Sequence, residues 1–332
     1  MQPSIDFIYV NYFSINETLN SISTLLNTEI YNIINLNIIV FDNSYIYEKD
    51  SLRLKLENLK INKYNNCFEM KYLPSEKNVG FGAGCNIAAK SCNSDNIIFI
   101  NCDTDFSLTK KEGVLKLVEK INSDVTICGP KIISNERLLH ASCFSFDPTS
   151  IIFKPFRHVR KMGRLTKFIP EYKFFKKRID RITYEGMDKN SSCYVDWVSG
   201  CFMVVSRVFF EKVNGFDERY FLYFEDVDLC RKARKYGHRV LFDPSLSLIH
   251  KARYQSSSTY GILSSLIKNK TSRYHLSSWI KYIFKWRYDF FSKLFYIFTK
   301  FIYKKNLRSS FFFKKSKLLK HYCNNFVNNS NN

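Results

Sequence analysis

The sequence lacks any Cys-x-x-Cys pair, and none of its ten cysteines joins a histidine at zinc-site spacing. That excludes a structural zinc site and a disulfide framework, and points to buried, inert thiols in a reducing compartment. No window approaches the roughly 20 uncharged apolar residues that a membrane-spanning helix needs. Met1-Gln2-Pro3-Ser4 has no basic n-region, and Asp6 interrupts the apolar run from Ile5 to Val10, so no secretory leader is expected. No internal repeat occurs, which excludes solenoids and propellers. Acids are nearly missing from Lys251 to Asn332, where 17 lysines and arginines face a single carboxylate, Asp289. Most of the formal charge of +21 therefore belongs to a tail. These absences leave a cytoplasmic protein, at most peripheral to a membrane.

What is present alternates between two periods. Ile5–Val10, Leu36–Phe41, Phe68–Leu73, Asn96–Ile100 and Val125–Cys128 read as strands, several of them continuous apolar runs of the kind buried on both faces of a parallel sheet. Between them, residues 16–30, 48–60, 80–91 and 110–121 carry helical apolar spacing. Alternation of this kind predicts a doubly wound α/β sheet. Further on, Val195–Val205 reads as a strand around Gly200, Phe209–Val213 as a short helix, and a longer helix stops at Gly237. Val240–Phe242 and Ser247–Ile249 read as short strands leading to His250. Ligands bind such sheets beyond the carboxyl ends of their strands. Asn11, Asp42-Asn43-Ser44 and Asn101 to Asp105 all occupy strand ends, so one shared site is the economical reading.

The most unusual stretch is Gly215-Phe216-Asp217-Glu218-Arg219-Tyr220-Phe221-Leu222-Tyr223-Phe224-Glu225-Asp226-Val227-Asp228, which sets carboxylates among aromatic rings. Desolvation there raises a carboxyl's pKa and makes a candidate general base. A plain acidic first turn of a helix, with Arg231 near its far end, accounts for the same residues more blandly. Gly80-x-Gly82-x-Gly84 opens a helix as a phosphate cradle does, but Cys85 stands where a dinucleotide fingerprint needs its third glycine. Close backbone approach is the alternative use of these glycines. Asp103 and Asp105 offer hard oxygen ligands for Mg²⁺ or Mn²⁺, with Asp105 also a candidate helix cap.

Taken in order, Asn78-x-Gly80-Phe81-Gly82-x-Gly84-x-Asn86, Asn101-x-Asp103, Gly200-x-Phe202-Met203, the 215–231 block and His250 resemble glycosyltransferase family 2, in its rhamnosyltransferase-like group. The resemblance covers about residues 5–256 and departs from the family pattern at Cys102 and at the close spacing of Asn43 and Ser44. It implies a GT-A fold and inverting transfer of a sugar from a nucleotide-sugar donor, dTDP-rhamnose or another, to a glycan or lipid-linked saccharide acceptor in surface-polysaccharide assembly. Asp226 would be the catalytic base. Asn11, Asp42, Asn78, Gly80, Phe81, Gly82, Asn86, Asp103 and Gly200 would line the donor, and Asp103 with His250 would hold the Mg²⁺ or Mn²⁺. Asp217, Glu218, Glu225, Asp228 and Arg231 would face the acceptor or orient the base.

On this reading residues 1–256 form the catalytic domain, with a basic insert at about 153–181 holding 11 lysines and arginines. Residues 257–322 form a basic amphipathic helical region and 323–332 a disordered polar end. Trp279, Ile280, Ile283, Phe284 and Trp286 lie among lysines, a pattern suited to the inner face of an anionic membrane. A tail helix that packs on the body with a solvated lysine edge is the alternative. Two rival functions follow from the charge and the motifs. One is a basic nucleic-acid-binding protein, whose charge would not need the acidic centre, so no nucleic-acid partner is expected. The other is a non-catalytic relative that binds nucleotide sugars.

Overall fold

A computed structural model describes residues 2–44, 49–64, 67–134, 142–146, 188, 190–251 and 269–287. The basic insert, the polar end and most of the tail lie outside the described residues. The chain divides into two compact units, Met1–Tyr282 and Ile283–Asn332. Among the described residues no helix is long and apolar enough to cross a membrane.

The strands of the main sheet are β1 (Ser4–Asn11), β2 (Asn35–Asp42), β3 (Glu69–Pro74), β4 (Asn96–Ile100), β5 (Thr104–Asp105), β6 (Val125–Ser134), β8 (Cys193–Val195), β10 (Phe202–Ser206) and β11 (Arg239–His250). They run in the order β3-β2-β1-β4-β10-β6-β11-β5, with β8 against β11. β3, β2, β1 and β4 are mutually parallel. β10 enters antiparallel between β4 and β6, so the sheet is mixed. A small second sheet pairs β7 (Cys143–Phe144) with β9 (Trp197–Val198). The helices are α1 (Ile15–Leu26), α2 (Lys49–Asn58), α3 (Phe81–Ala89), α4 (Lys111–Val118), α5 (Arg207–Lys212), α6 (Glu225–Lys235) and α7 (Lys270–Lys285).

Strand alternation sorts the core into two layers. Ile5, Phe7 and Tyr9 of β1 face Ile22 and Leu25 of α1, Leu52 of α2 and Val114 of α4. Ile8 and Val10 belong to the opposite layer, with Cys85 and Ala88 of α3, Phe209 and Phe210 of α5, and Leu229 of α6. Each such side chain contributes about 1.5–3 kcal/mol on burial, so both faces of the sheet are firmly covered. Most described cysteines are buried free thiols, as their scatter suggested.

The expected elements recur with instructive differences. Helix α1 stops at Leu26 rather than running to residue 30, where a short 3₁₀ turn, Ile30–Asn32, takes over. The two short strands expected before His250 are one strand, β11, with a register shift between Phe242 and Ser247. The strand expected at 195–205 is broken, because the chain turns at Gly200 beside Asp226 between β9 and β10. Asp105 does not cap α4. It lies in β5, accepts from the Ser107 N–H at 2.8 Å and pairs with Lys251.

Candidate active site

Parallel pairing places Asn11 beside Asp42 and Tyr9 beside Ile100, so the polar strand ends gather at one edge of the sheet. Asn11 and Asp42 are buried there and bond to each other, Asn11 Nδ2 donating to Asp42 Oδ1 at 2.9 Å. The Ser44 N–H also donates to Oδ1, at 3.0 Å, and the Tyr72 hydroxyl donates to Oδ2 at 2.7 Å. Both oxygens of Asp42 therefore have internal partners. Asn43, equally buried, donates to the Gly80 carbonyl and accepts from the Val79 N–H. It ties β2 to the start of α3, while Asn78 Oδ1 accepts the Gly80 N–H.

The glycines of α3 serve close approach. Gly80 has φ +94°, and a Cβ there would stand 2.5 Å from the Phe221 carbonyl oxygen. A Cβ on Gly82 would meet Phe216 and Glu225, and one on Gly84 would meet Phe41. Asn86 grips the same block, accepting from the Phe216 N–H and donating to its carbonyl and to Glu218 Oε1. For Gly82 and Asn86 the contacts are thus with protein: these residues press the carboxylate block onto α3.

Antiparallel pairing of β11 with β5 sets His250 opposite Thr104. His250 Nε2 lies 3.0 Å from Asp103 Oδ1, and both side chains are partly exposed. Lys251 follows, its N–H on the Asp103 carbonyl and its Nζ 2.7 Å from Asp105 Oδ2. Burial alone would raise the Asp105 carboxyl, but Lys251 and Ser107 outweigh it and hold the pKa below the usual value. Among the described residues no cluster of three or more metal-ligating side chains forms. One carboxylate and one imidazole converging at this distance fit an Mg²⁺ or Mn²⁺ that takes its other ligands from phosphate oxygens and water, and the imidazole favours Mn²⁺.

Across this edge lies the carboxylate block. Tyr223 and Phe224 both take left-handed backbone angles, φ 69° and 71°. Each costs about 1–2 kcal/mol for a residue with a Cβ, so surrounding contacts must hold the turn. It delivers Glu225 and Asp226 to the first turn of α6. The Gly200 N–H donates to Asp226 Oδ2 at 2.9 Å and the Val227 N–H to Oδ1 at 2.8 Å. The next residue, Cys201, accepts the Asn101 N–H through its carbonyl at 2.9 Å, which links Asp226 to the Asp103 strand end. Burial, then the nearby Asp103 charge, pushes the Cys201 thiol up to about 12, although a Ser199 hydrogen bond lowers it.

Glu225 is buried, and no hydrogen bond reaches its Oε2 among the described residues. Burial, then the neighbouring Asp226 charge, lifts its carboxyl well above the ordinary glutamate range. Asp228 is fully buried and accepts from the Tyr220 hydroxyl at 3.2 Å. Asp217 makes a two-pronged ion pair with Arg219, at 2.9 and 2.6 Å. Arg231 Nη1 donates to the Tyr282 hydroxyl at 2.7 Å.

The structure therefore gathers Asn101, Asp103, Gly200, Asp226 and His250 along one connected edge. Asn11, Asp42, Asn78, Gly80 and Phe81 stand beside it, while Asp217, Asp228 and Arg231 bond to Arg219, Tyr220 and Tyr282. Sequence reasoning missed Tyr72, whose only signal was a polar-ended aromatic near the close of a strand, and Lys251, concealed among many tail cations.

The model for "Glycosyl transferase family 2" matches residues 7–183. Rhamnosyltransferase WbbL of Escherichia coli (strain K12) is 28% identical over 211 residues, 61% of this chain and 70% of the relative. N-acetylglucosaminyl-diphospho-decaprenol L-rhamnosyltransferase of Mycobacterium tuberculosis (strain CDC 1551 / Oshkosh) is 46% identical over 56 residues, only 18% of that relative. A solved structure of GalNAc-T7 with UDP, GalNAc and Mn²⁺ superposes with a TM-score of 0.54 at 14% identity, covering 77% of this chain and 46% of that one. That likeness concerns the fold, an α/β GT-A fold. This chain belongs to glycosyl transferase family 2, in its rhamnosyltransferase-like group, and is a glycosyltransferase.

Proposed function

We propose that this enzyme transfers a sugar, rhamnose being the first to test, from a nucleotide-sugar donor to a hydroxyl of a glycan or lipid-linked saccharide, with inversion at the anomeric carbon. The observation that carries this reading is Asp226, fixed by the Gly200 N–H on the edge that also presents Asp103 and His250. The acceptor oxygen attacks the anomeric carbon, its proton passes to Asp226, and the bond to the diphosphate breaks with its electron pair on the phosphate oxygen. Attack from the side opposite the leaving group inverts the centre. Asp103 and His250 would hold a divalent cation, Mg²⁺ or Mn²⁺, which when bound offsets charge on the departing diphosphate. The nucleoside belongs at the Asn11–Asp42 end, where the Tyr72 hydroxyl and Asp42 shape the wall.

The relatives named for rhamnosyl transfer support rhamnose as the sugar, and the one acting on a decaprenol-linked acceptor supports a lipid-linked substrate. With such an acceptor, our reading puts the reaction at the inner face of the cell membrane, in assembly of a surface polysaccharide. The basic tail, together with Leu276 and Ile280 exposed on α7, suits contact with anionic lipid. The test is transfer from a panel of nucleotide sugars with Mn²⁺ or Mg²⁺, wild type against Asp226→Asn. Asp226→Asn should bind donor as wild type does and transfer nothing. Turnover retained by that variant would overturn the assignment of the base.

A further inference from the structure

We infer that α7, from Lys270 to Tyr282, is a positioning element of the active site, a strap that holds the turn presenting Asp226. This rests on the function proposed above. The turn from Arg219 to Phe224 is gripped from outside. On one side the Phe81 N–H of α3 donates to the Phe221 carbonyl at 3.0 Å. On the other, Lys281 Nζ donates to the Arg219 carbonyl at 2.7 Å and Ser278 Oγ to the Leu222 carbonyl at 2.9 Å.

The rings repeat the pattern. Phe221 lies against Tyr274 with centroids 4.5 Å apart, and Tyr223 and Phe224 lie 5.1 and 5.3 Å from His275. Phe224 also meets Tyr282 at 5.3 Å, and the Tyr282 hydroxyl accepts from Arg231 of α6. Residues 274, 275, 278, 281 and 282 share one face of a helix, at the spacing that 3.6 residues per turn dictates. That face covers the left-handed pair Tyr223–Phe224 and ends on α6 itself. Ser278 and Tyr282 are buried in the contact. Two left-handed residues in succession persist only where their surroundings over-determine them, and α7 lays His275 and Tyr282 against them. A helix that merely covered apolar surface would not need to bond the Arg219 and Leu222 carbonyls, which lead into the left-handed pair.

The test uses the full chain carrying Ser278→Ala together with Tyr282→Phe, which removes two hydroxyls and leaves the apolar packing. We expect kcat to fall about tenfold to a hundredfold, as loss of ångström-scale placement does, with the donor KM within about threefold. Ser278→Thr, which keeps the hydroxyl, should restore Ser278's share. Amide exchange over residues 219–226 should quicken while β1 and β4 exchange as in wild type. Unchanged kcat, or unchanged exchange across 219–226, would overturn the inference. If wild type transfers no sugar, the function proposed above fails, and the exchange comparison alone then decides whether α7 holds the turn.

Discussion

Gly200 offers the sharpest separation between building the fold and placing the base. A Cβ at this position would stand 2.8 Å from Asp226 Cβ and 3.0 Å from its Oδ2. Carbon atoms settle at about 3.5–4.0 Å, so Gly200→Ala must drive the two residues apart by roughly 0.7 Å or more. Asp226 is anchored in α6 and Gly200 in the turn before β10, so the displacement falls on the carboxylate and on its 2.9 Å bond from the Gly200 N–H. A shift near 1 Å costs about a hundredfold in rate, so we expect kcat to fall about tenfold to a hundredfold, or about 1.4–2.7 kcal/mol of barrier. Overpacking costs stability about 1–3 kcal/mol, which thermal unfolding reads separately from the rate. The control is Gly237→Ala at the end of α6, where φ is +82° and nothing lies within 4 Å. It should cost stability about 1–2 kcal/mol and leave transfer unchanged. Steady-state transfer with thermal unfolding decides the matter. A folded Gly200→Ala with kcat within about threefold of wild type would refute the reasoning.

Other expectations can be checked on the same protein. Asp103→Ala should abolish the strengthening of nucleoside diphosphate binding by Mn²⁺ in calorimetry; metal stimulation that survives would remove Asp103 from the cation site. Glu225 stays protonated in the fold well above its ordinary 4.5, whereas the unfolded chain ionises there. Its stabilising contribution is therefore whole below that value and is lost as pH rises toward the folded pKa, by up to about 1.4 kcal/mol per pH unit. Glu225→Gln should gain stability over wild type between pH 5 and pH 8 in denaturant melts, and a pH-independent difference would contradict the buried neutral acid. Ending the chain after Arg287 should abolish co-sedimentation with anionic vesicles while keeping the strap; unchanged sedimentation would show that the tail beyond is not the lipid contact.

Much of the fold was legible because buried parallel strands announce themselves. Leu36–Phe41 and Asn96–Ile100 need apolar residues on both faces, and no turn or surface segment reads that way. The candidate site was readable at Asp226, a carboxylate set after an aromatic run, whereas Gly200 read as part of one strand that the structure breaks into two. It was illegible where the partner lies far away in sequence. Asn86 read as a ligand contact, and its bonds to Phe216 and Glu218, 130 and 132 positions on, left no trace in the local sequence. Asp42 read as a donor contact at a strand end, and nothing in the sequence showed that Tyr72 and Asn11 bond to it there. The basic amphipathic pattern of residues 270–285 suited a membrane helix and, less strongly, a packing helix, and the contacts of Tyr274, His275, Ser278, Lys281 and Tyr282 show that one face of it packs on the body.

The antiparallel entry of β10 between β4 and β6 has a consequence for synthesis. The Asn11–Asp42 contact and the Tyr72 hydroxyl that closes on it all come from β1 to β3, early in the chain. Asn101, by contrast, waits for His250, which lies 149 positions later. Asp226 waits both for its own loop and for a helix that ends at Lys285. The candidate site is therefore complete only when nearly all of the first unit has been made.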